Sequence, residues 1–344
     1  MQPYSDSPLT TRMESSYLHI LFFVFTLFVI ELLYFRIAEH FNIVDAPNHR
    51  SSHKRITIRG GGIIFPASLL FWFILSNFQN VYFISGLFLI STVSFLDDIF
   101  TLNSGIRSVI QSLAIILLLY TSPLSLHWYY YFLIFIVIKG TINAYNFMDG
   151  INGITGAYSF VALISVLYIN NSIEFTDTNL IVCPLLAISV FNFFNFRKKA
   201  KCFAGDVGSV SIAFIIIYLL TQLILKTNNF LYASILLVYG LDTVTTIIFR
   251  VIRKEKITEA HRSHFYQFLA NQKKWKHLQV STLYCIAQLT VNIVLLVPLI
   301  NRHQNGYDSL YKLIALSIIS AIGFIVIRFS IEGKDNLLKP KLQA

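Results

Sequence analysis

The sequence predicts an all-α polytopic integral membrane protein with about eleven transmembrane helices, forming one domain over residues 1–344. Three observations predict it. Hydrophobic residues make up 55% of the chain and charged residues only 13%. Apolar runs of membrane-spanning or nearly spanning length recur from end to end. Lys and Arg fall almost entirely in alternate connecting segments.

The composition excludes an ordinary soluble fold. A soluble domain carries about 25% charged residues, whereas this chain has a mean hydropathy of +0.64 and 31 Phe in 344 residues. The three cysteines, Cys183, Cys202 and Cys285, have no metal-ligand spacing and suggest neither a disulfide framework nor a zinc site. No cleavable signal pattern precedes the first apolar run.

The runs fall at 17–35, 63–76, 81–96, 108–122, 128–147, 154–170, 180–196, 209–225, 229–249, 279–300 and 311–329. Several are short for a hydrocarbon core of ~30 Å. Only Asn77-Phe78-Gln79-Asn80 separates the second from the third, so ten spans is the other count. Placing the N-terminus outside puts 36–62, 97–107, 148–153, 197–208, 250–278 and the C-terminal tail inside. Those segments and their flanks hold 22 of the 27 Lys and Arg. Arg12, Lys226, Arg302 and Lys312 lie outside, and Lys139 lies within the fifth span. The net charge of +10 is therefore topological and no nucleic-acid partner is expected.

The outer segments are short and chemically plain, whereas five inner ones carry polar residues that a bilayer boundary does not require. The first runs from Asp45 through Arg50, His53 and Arg59 to Gly60-Gly61-Gly62. It reads as a phosphate-approaching turn or as a basic, flexible lead-in to a helix. The second is Asp97-Asp98 at the end of a span, where adjacent carboxylates repel unless a cation or proton intervenes. In the third, Asn143, Asn146 and Asp149-Gly150 recur at helical spacing, with Asn152-Gly153 beyond, and offer oxygens suited to a hard cation or polar ligand. The fourth, Gly205-Asp206-Val207-Gly208-Ser209, opens a span as an N-cap or as a metal and phosphate site. The fifth joins Asp242, Arg250 and Arg253 to His261-Arg262-Ser263-His264, either a diphosphate grip or an interfacial loop. Arg250 is the expected partner of Asp242.

In this order, from Asp45 to about Gln267, the segments resemble the polyprenyl-phosphate N-acetylhexosamine-1-phosphate transferases, a family whose branches include the WecA and MraY enzymes. The resemblance rests on Asp97-Asp98, on Asn143, Asn146 and Asp149-Gly150, on Gly205-Asp206-Val207-Gly208-Ser209 and on His261/His264. Two departures are visible. The family often carries Asp-Gly-Ile-Asp-Gly, where this chain has the uncharged Asn152. Ile56 and Ile58 stand where prolines often precede the glycine run. The His loop is closer to the O-antigen-initiating branch.

The resemblance implies a Mg2+-dependent phosphoglycosyl transferase, with Mn2+ as a substitute ion, in the bacterial inner membrane with a periplasmic N-terminus and a cytoplasmic C-terminus and active site. It implies undecaprenyl phosphate and a UDP-N-acetylhexosamine as substrates and the lipid bilayer as surroundings, and it allows a homodimer. Asp97, Asp98 and Asp206 are the expected catalytic residues, and Asn146 and Asp206 the metal ligands. Arg50, His53, Arg59, Asn143, Asp149, Gly150, Asn152, Gly205, Ser209, Asp242, Arg250, His261 and His264 are expected around the substrates. The rivals are a phospho-N-acetylmuramoyl-pentapeptide transferase on the same fold, or a multi-span lipid or solute transporter. A transporter would place its polar groups at mid-membrane.

Overall fold

A computed structural model describes residues 8–47, 55–121, 127–256, 262–299 and 306–339. The helices are α1 (Pro8–His40), α2 (Ile64–Leu75), α3 (Val81–Phe100), α4 (Ser104–Tyr120), α5 (Trp128–Met148), α6 (Ile154–Ile173), α7 (Thr178–Asn195), α8 (Gly205–Thr227), α9 (Leu237–Ile252), α10 (Phe265–Asn271), α11 (His277–Val291), α12 (Gly306–Glu332) and α13 (Lys334–Leu338). Among the described residues, nine helical segments are long and apolar enough to cross a membrane. Two shorter apolar ones, Gly61–Leu75 and Ser104–Tyr120, match the runs expected at 63–76 and 108–122. Every expected run is thus helical over its described residues, and the chain is a multi-pass membrane protein.

The ends of the runs differ where polar residues extend a helix or an imino acid stops it. α4 begins earlier than hydropathy suggests because Asn103 caps it, accepting from the Gly105 N–H at 2.7 Å. The run at 279–300 leaves the α-helix at Val291, passing through a π turn at Asn292–Leu296 and a 3-10 turn at Val297–Leu299. Pro298, which lacks an N–H, falls in that last turn. The segment after α1, expected as a loop, contains a two-stranded antiparallel ladder: β1 (Val44–Asp45) pairs Val44 with Ile58 and Asp45 with Thr57 of β2 (Thr57–Ile58). Ile58 also bridges Cys202, which brings the glycine run against the start of α8.

α8 is the axis of the bundle. It packs against α2, α3, α5 and α6 and is buried along most of its length. Its all-round apolar surface suits a helix enclosed by others. The peripheral helices show the converse pattern. Phe22 and Phe25 on α1, and Ile319 and Val326 on α12, are exposed, as expected of surfaces that face hydrocarbon.

The glycines set how closely the inner elements approach. A Cβ on Gly62 would lie 2.2 Å from the Gly208 Cα, and one on Gly208 would lie 2.8 Å from the Gly62 Cα. Only two residues without side chains allow this crossing.

Candidate active site

The C-terminal ends of α3 and α5 meet the N-terminal ends of α4 and α8 and the segment leading into α2, so one end of the bundle collects the acids. Asp98 lies at the centre. Its Oδ1 accepts from the Asp206 N–H at 2.9 Å and its Oδ2 from the Val207 N–H at 3.0 Å. Arg59 Nε pairs with Oδ1 at 2.6 Å, and the side chain is 0% exposed. Asp98 therefore caps α8 from another helix, placing a carboxylate where the exposed amides and the helix dipole favour one. Gly205 enters this cap with φ +72, and a Cβ there would lie 2.5 Å from Asp98 Oδ2.

Asp97 faces α4. It accepts from the Leu102 N–H at 2.6 Å and pairs with Arg107 Nη1 at 2.5 Å. Its side chain is 7% exposed. The Asp206 carboxylate receives Arg59 Nη2 at 3.2 Å and Arg107 Nη1 at 3.5 Å, and at 18% exposure it is the most accessible of the three acids. Two guanidinium groups thus tie three carboxylates together. Burial pulls the pKa of Arg59 down, but Asp98 and Asp206 more than offset this and hold it above its usual value. Arg107 is the member of this cluster that sequence reasoning missed. Its signal was a lone basic residue nine positions after the acid pair, on the first turn of a helix.

Asn146 comes from α5, and its Oδ1 accepts from Ser209 Oγ at 2.7 Å, one turn along α8 from Asp206. Ser209 is fully buried and also donates to the Gly205 carbonyl at 3.1 Å. It therefore orients Asn146 and is not available to a phosphate, contrary to expectation. Asn143 lies further along α5 and donates to the Lys139 carbonyl at 2.8 Å. Asp149 caps α5, and burial pushes its carboxyl up to about 6; Asp206 adds to the rise, against Thr155 and Arg59.

Other expectations are corrected. The glycine run does not offer its amides to a ligand, since Gly61 N–H donates to the Phe203 carbonyl at 2.9 Å and Gly62 N–H to the Ala204 carbonyl at 3.1 Å. Gly150 lies under Tyr266, whose hydroxyl would sit 2.3 Å from a Cβ there. Asn152 is buried and its amide donates to the Arg197 carbonyl at 2.9 Å, so it fixes the turn after α7. Asp242 is fully buried and caps α10, accepting from the Phe265 N–H at 2.9 Å, the Tyr266 N–H at 3.2 Å and Tyr284 Oη at 2.6 Å. Its expected partner Arg250 instead pairs with Glu255 at 3.2 Å. His264 is also buried and approaches Asp242 Oδ1 at 3.3 Å. Asp242, Arg250 and His264 therefore build the frame around α9 and α10. Arg50, His53 and His261 lie outside the described residues.

Among the described residues, no three His, Cys, Asp or Glu side chains gather as an ion-binding group. The donors that suit a hard cation are the accessible Asp206 carboxylate and the Asn146 carbonyl, held on facing helices through Ser209. Two protein oxygens fit an ion that keeps several waters and takes its remaining ligands from substrate phosphates.

The model of glycosyl transferase family 4 matches residues 80–224, which include Asp97, Asp98, Arg107, Asn146, Asp149 and Asp206. The chain is similar to the probable undecaprenyl-phosphate N-acetylglucosaminyl 1-phosphate transferase of Bacillus subtilis (strain 168), at 28% identity over 71% of this chain and 74% of the relative. It is also similar to the phospho-N-acetylmuramoyl-pentapeptide-transferase of Thermotoga neapolitana, at 25% identity over 71% of this chain and 85% of the relative. The undecaprenyl-phosphate alpha-N-acetylglucosaminyl 1-phosphate transferase of Escherichia coli (strain K12) is 27% identical over 57% of this chain and 60% of the relative. With its acid cluster inside the matched segment and relatives from both branches, the chain is similar to glycosyl transferase family 4 and to its undecaprenyl-phosphate and phospho-N-acetylmuramoyl-pentapeptide transferases.

Proposed function

We propose that the protein transfers N-acetylhexosamine-1-phosphate from a UDP-activated sugar to undecaprenyl phosphate, releasing UMP and starting a lipid-linked envelope glycan such as an O-antigen or capsule. The observation that carries this reading is the convergence of Asp97, Asp98, Asp206, Asn146, Arg59 and Arg107 from separate elements at one end of the bundle, with Asp206 the most accessible acid. The Lys and Arg bias supports an orientation in which that end faces the cytoplasm from the inner membrane.

In the reaction, an oxygen of the lipid phosphate attacks the β-phosphorus of the sugar nucleotide, and the bond to the UMP oxygen breaks. The difficulty is one anion approaching another. A phosphate monoester has a second pKa of about 6 and is mostly dianionic at neutral pH, so it needs little help from a base. Arg59 and Arg107 supply positive charge beside Asp206, and Asp98 fixes the backbone that carries it. The engaged, solvent-excluded oxygens of Asp98 argue against a phospho-aspartyl intermediate there and favour direct displacement. Asp206 and Asn146 would hold Mg2+, with Mn2+ as a substitute. When bound, the ion would reduce charge repulsion between the phosphates and stabilise the leaving UMP. Asp149 belongs to the nucleotide side of the site. An apolar cavity of about 820 Å³ between α4 and α5, lined by Ile116, Leu119, Tyr120, Tyr131, Phe132 and Phe135, would take part of the prenyl chain.

The test uses purified protein, lipid phosphate, Mg2+ and a panel of UDP-sugars, including UDP-N-acetylmuramoyl-pentapeptide, scored for UMP release. Release with an unsubstituted N-acetylhexosamine donor, abolished by chelation and restored by Mg2+, is expected. Asp206→Ala should fold and be inactive, and retained turnover would remove the metal assignment. Turnover with the pentapeptide donor alone would shift the protein to the peptidoglycan branch.

A further inference from the structure

Lys139 is a cation near the middle of α5, where a charged side chain is costly unless something compensates it. Its Nζ donates to Ser108 Oγ at 2.7 Å, Ser112 Oγ at 2.9 Å and the Ser108 carbonyl at 3.3 Å. None of these partners carries a negative charge. Among the described residues the ammonium forms no ion pair.

Its position gives that charge a use. Ser108 follows Arg107, which touches Asp97 and Asp206. On α5, Lys139, Asn143 and Asn146 recur at i, i+4 and i+7, so one face runs from Asn146 back to the lysine. One turn further from the acid cluster, the Phe135 ring lies 5.8 Å from the ammonium and forms part of the apolar cavity wall. On α4, Ser108, Ser112 and Ile116 follow the same order from polar to apolar. The α4–α5 seam is therefore graded, with the acid cluster at one end, the ammonium at the junction and an apolar cavity beyond.

We propose that Lys139 binds the phosphate monoester of the acceptor lipid, making this seam the site that selects a singly phosphorylated long-chain amphiphile. The assignment rests on the reaction proposed above. A free phosphate would use the charge and leave the cavity idle. A neutral prenol would use the cavity and leave the charge unmet. The two hydroxyls and the carbonyl hold the ammonium toward the seam, and an incoming phosphate oxygen replaces neutral acceptors with a charged one.

The test uses the full chain in nanodiscs. Lys139→Met keeps most of the stem and removes the charge. With lipid phosphate varied at saturating sugar nucleotide, KM for the lipid should rise tenfold or more, while KM for the sugar nucleotide stays within twofold. Lys139→Arg should restore most of the loss. Binding of lipid phosphate without sugar nucleotide, read by native mass spectrometry, should fall in parallel, while binding of the dephosphorylated prenol stays unchanged. Inorganic phosphate at millimolar concentration should not compete. Ser108→Ala/Ser112→Ala, which keeps the charge and removes its neutral partners, should bind lipid phosphate at least as well as the parent, and this variant decides if Lys139→Met does not fold. Unchanged lipid affinity in Lys139→Met, or equal weakening for the prenol and its phosphate, overturns the proposal. Competition by inorganic phosphate would assign the charge to free phosphate and also overturn it. If the parent protein binds lipid phosphate yet releases no UMP with any donor, the reaction is wrong and the binding arms still judge Lys139.

Discussion

Asp98→Asn tests whether Asp98 is structural support or a reacting group. The carboxylate accepts two backbone N–H groups and the Arg59 guanidinium with its side chain sealed from solvent. Asparagine has nearly the same shape but one acceptor instead of two. If its oxygen keeps the Asp206 N–H and Arg59, its amide points a donor at the Val207 N–H. A hydrogen bond to a charged group contributes about 1.5–3 kcal/mol, and the charge at a helix N-terminus adds about 0.5–1 kcal/mol. The expected loss is about 3 kcal/mol, a shift of roughly 150-fold in the unfolding equilibrium at 1.4 kcal/mol per tenfold. Asp206→Asn should stay within about 1 kcal/mol of the parent, because its carboxylate is partly exposed and its two arginines still pair with Asp98 and Asp97. Equilibrium unfolding of both variants in mixed micelles gives the comparison, with UMP release measured alongside. If Asp98→Asn is as stable as the parent but inactive, Asp98 acts on substrate and the capping argument is refuted.

Gly62→Ala should cost about 3 kcal/mol or more, because its Cβ would fall 2.2 Å from the Gly208 Cα and backbone cannot yield as a side chain can. Gly140→Ala, with open space around its Cβ, should be neutral or gain up to about 1 kcal/mol from helix propensity; thermal melts in detergent separate the two. Burial pushes Glu255 up, but hydrogen bonds and charge from Arg253 and Arg250 outweigh this and hold its pKa below the usual value. That stability is present above pH ~4.5 and lost as pH falls through the folded pKa. Melting temperature between pH 5 and 3 should therefore drop more in the parent than in Glu255→Gln, and parallel curves would count against the pairing.

The helices were legible because hydropathy reports directly on burial in hydrocarbon, and most apolar runs became single helices. Asp97, Asp98, Asn146 and Asp206 were legible as a group because polar atoms near a membrane boundary need partners, and only one end of the bundle held enough of them. Their separate jobs were not legible. Asp98 read as a catalytic candidate and Asp242 as a substrate contact; both accept from backbone amides at helix N-termini, 108 and 23 residues away, which periodicity cannot locate. Ser209 read as a phosphate donor because its facing neighbour, Asn146, is set by how α5 packs on α8. The β1–β2 ladder was missed because two-residue strands leave no alternation to detect.

The cap on α8 also bears on how the chain is assembled. Asp97 and Asp98 are synthesised and enter the membrane more than a hundred residues before the amides that Asp98 serves. During that interval Asp98 has Arg59 as a partner but not the two amides of α8. Arrival of that one helix closes the core and brings Asp206 to Asp98, Arg59 and Arg107 in the same event.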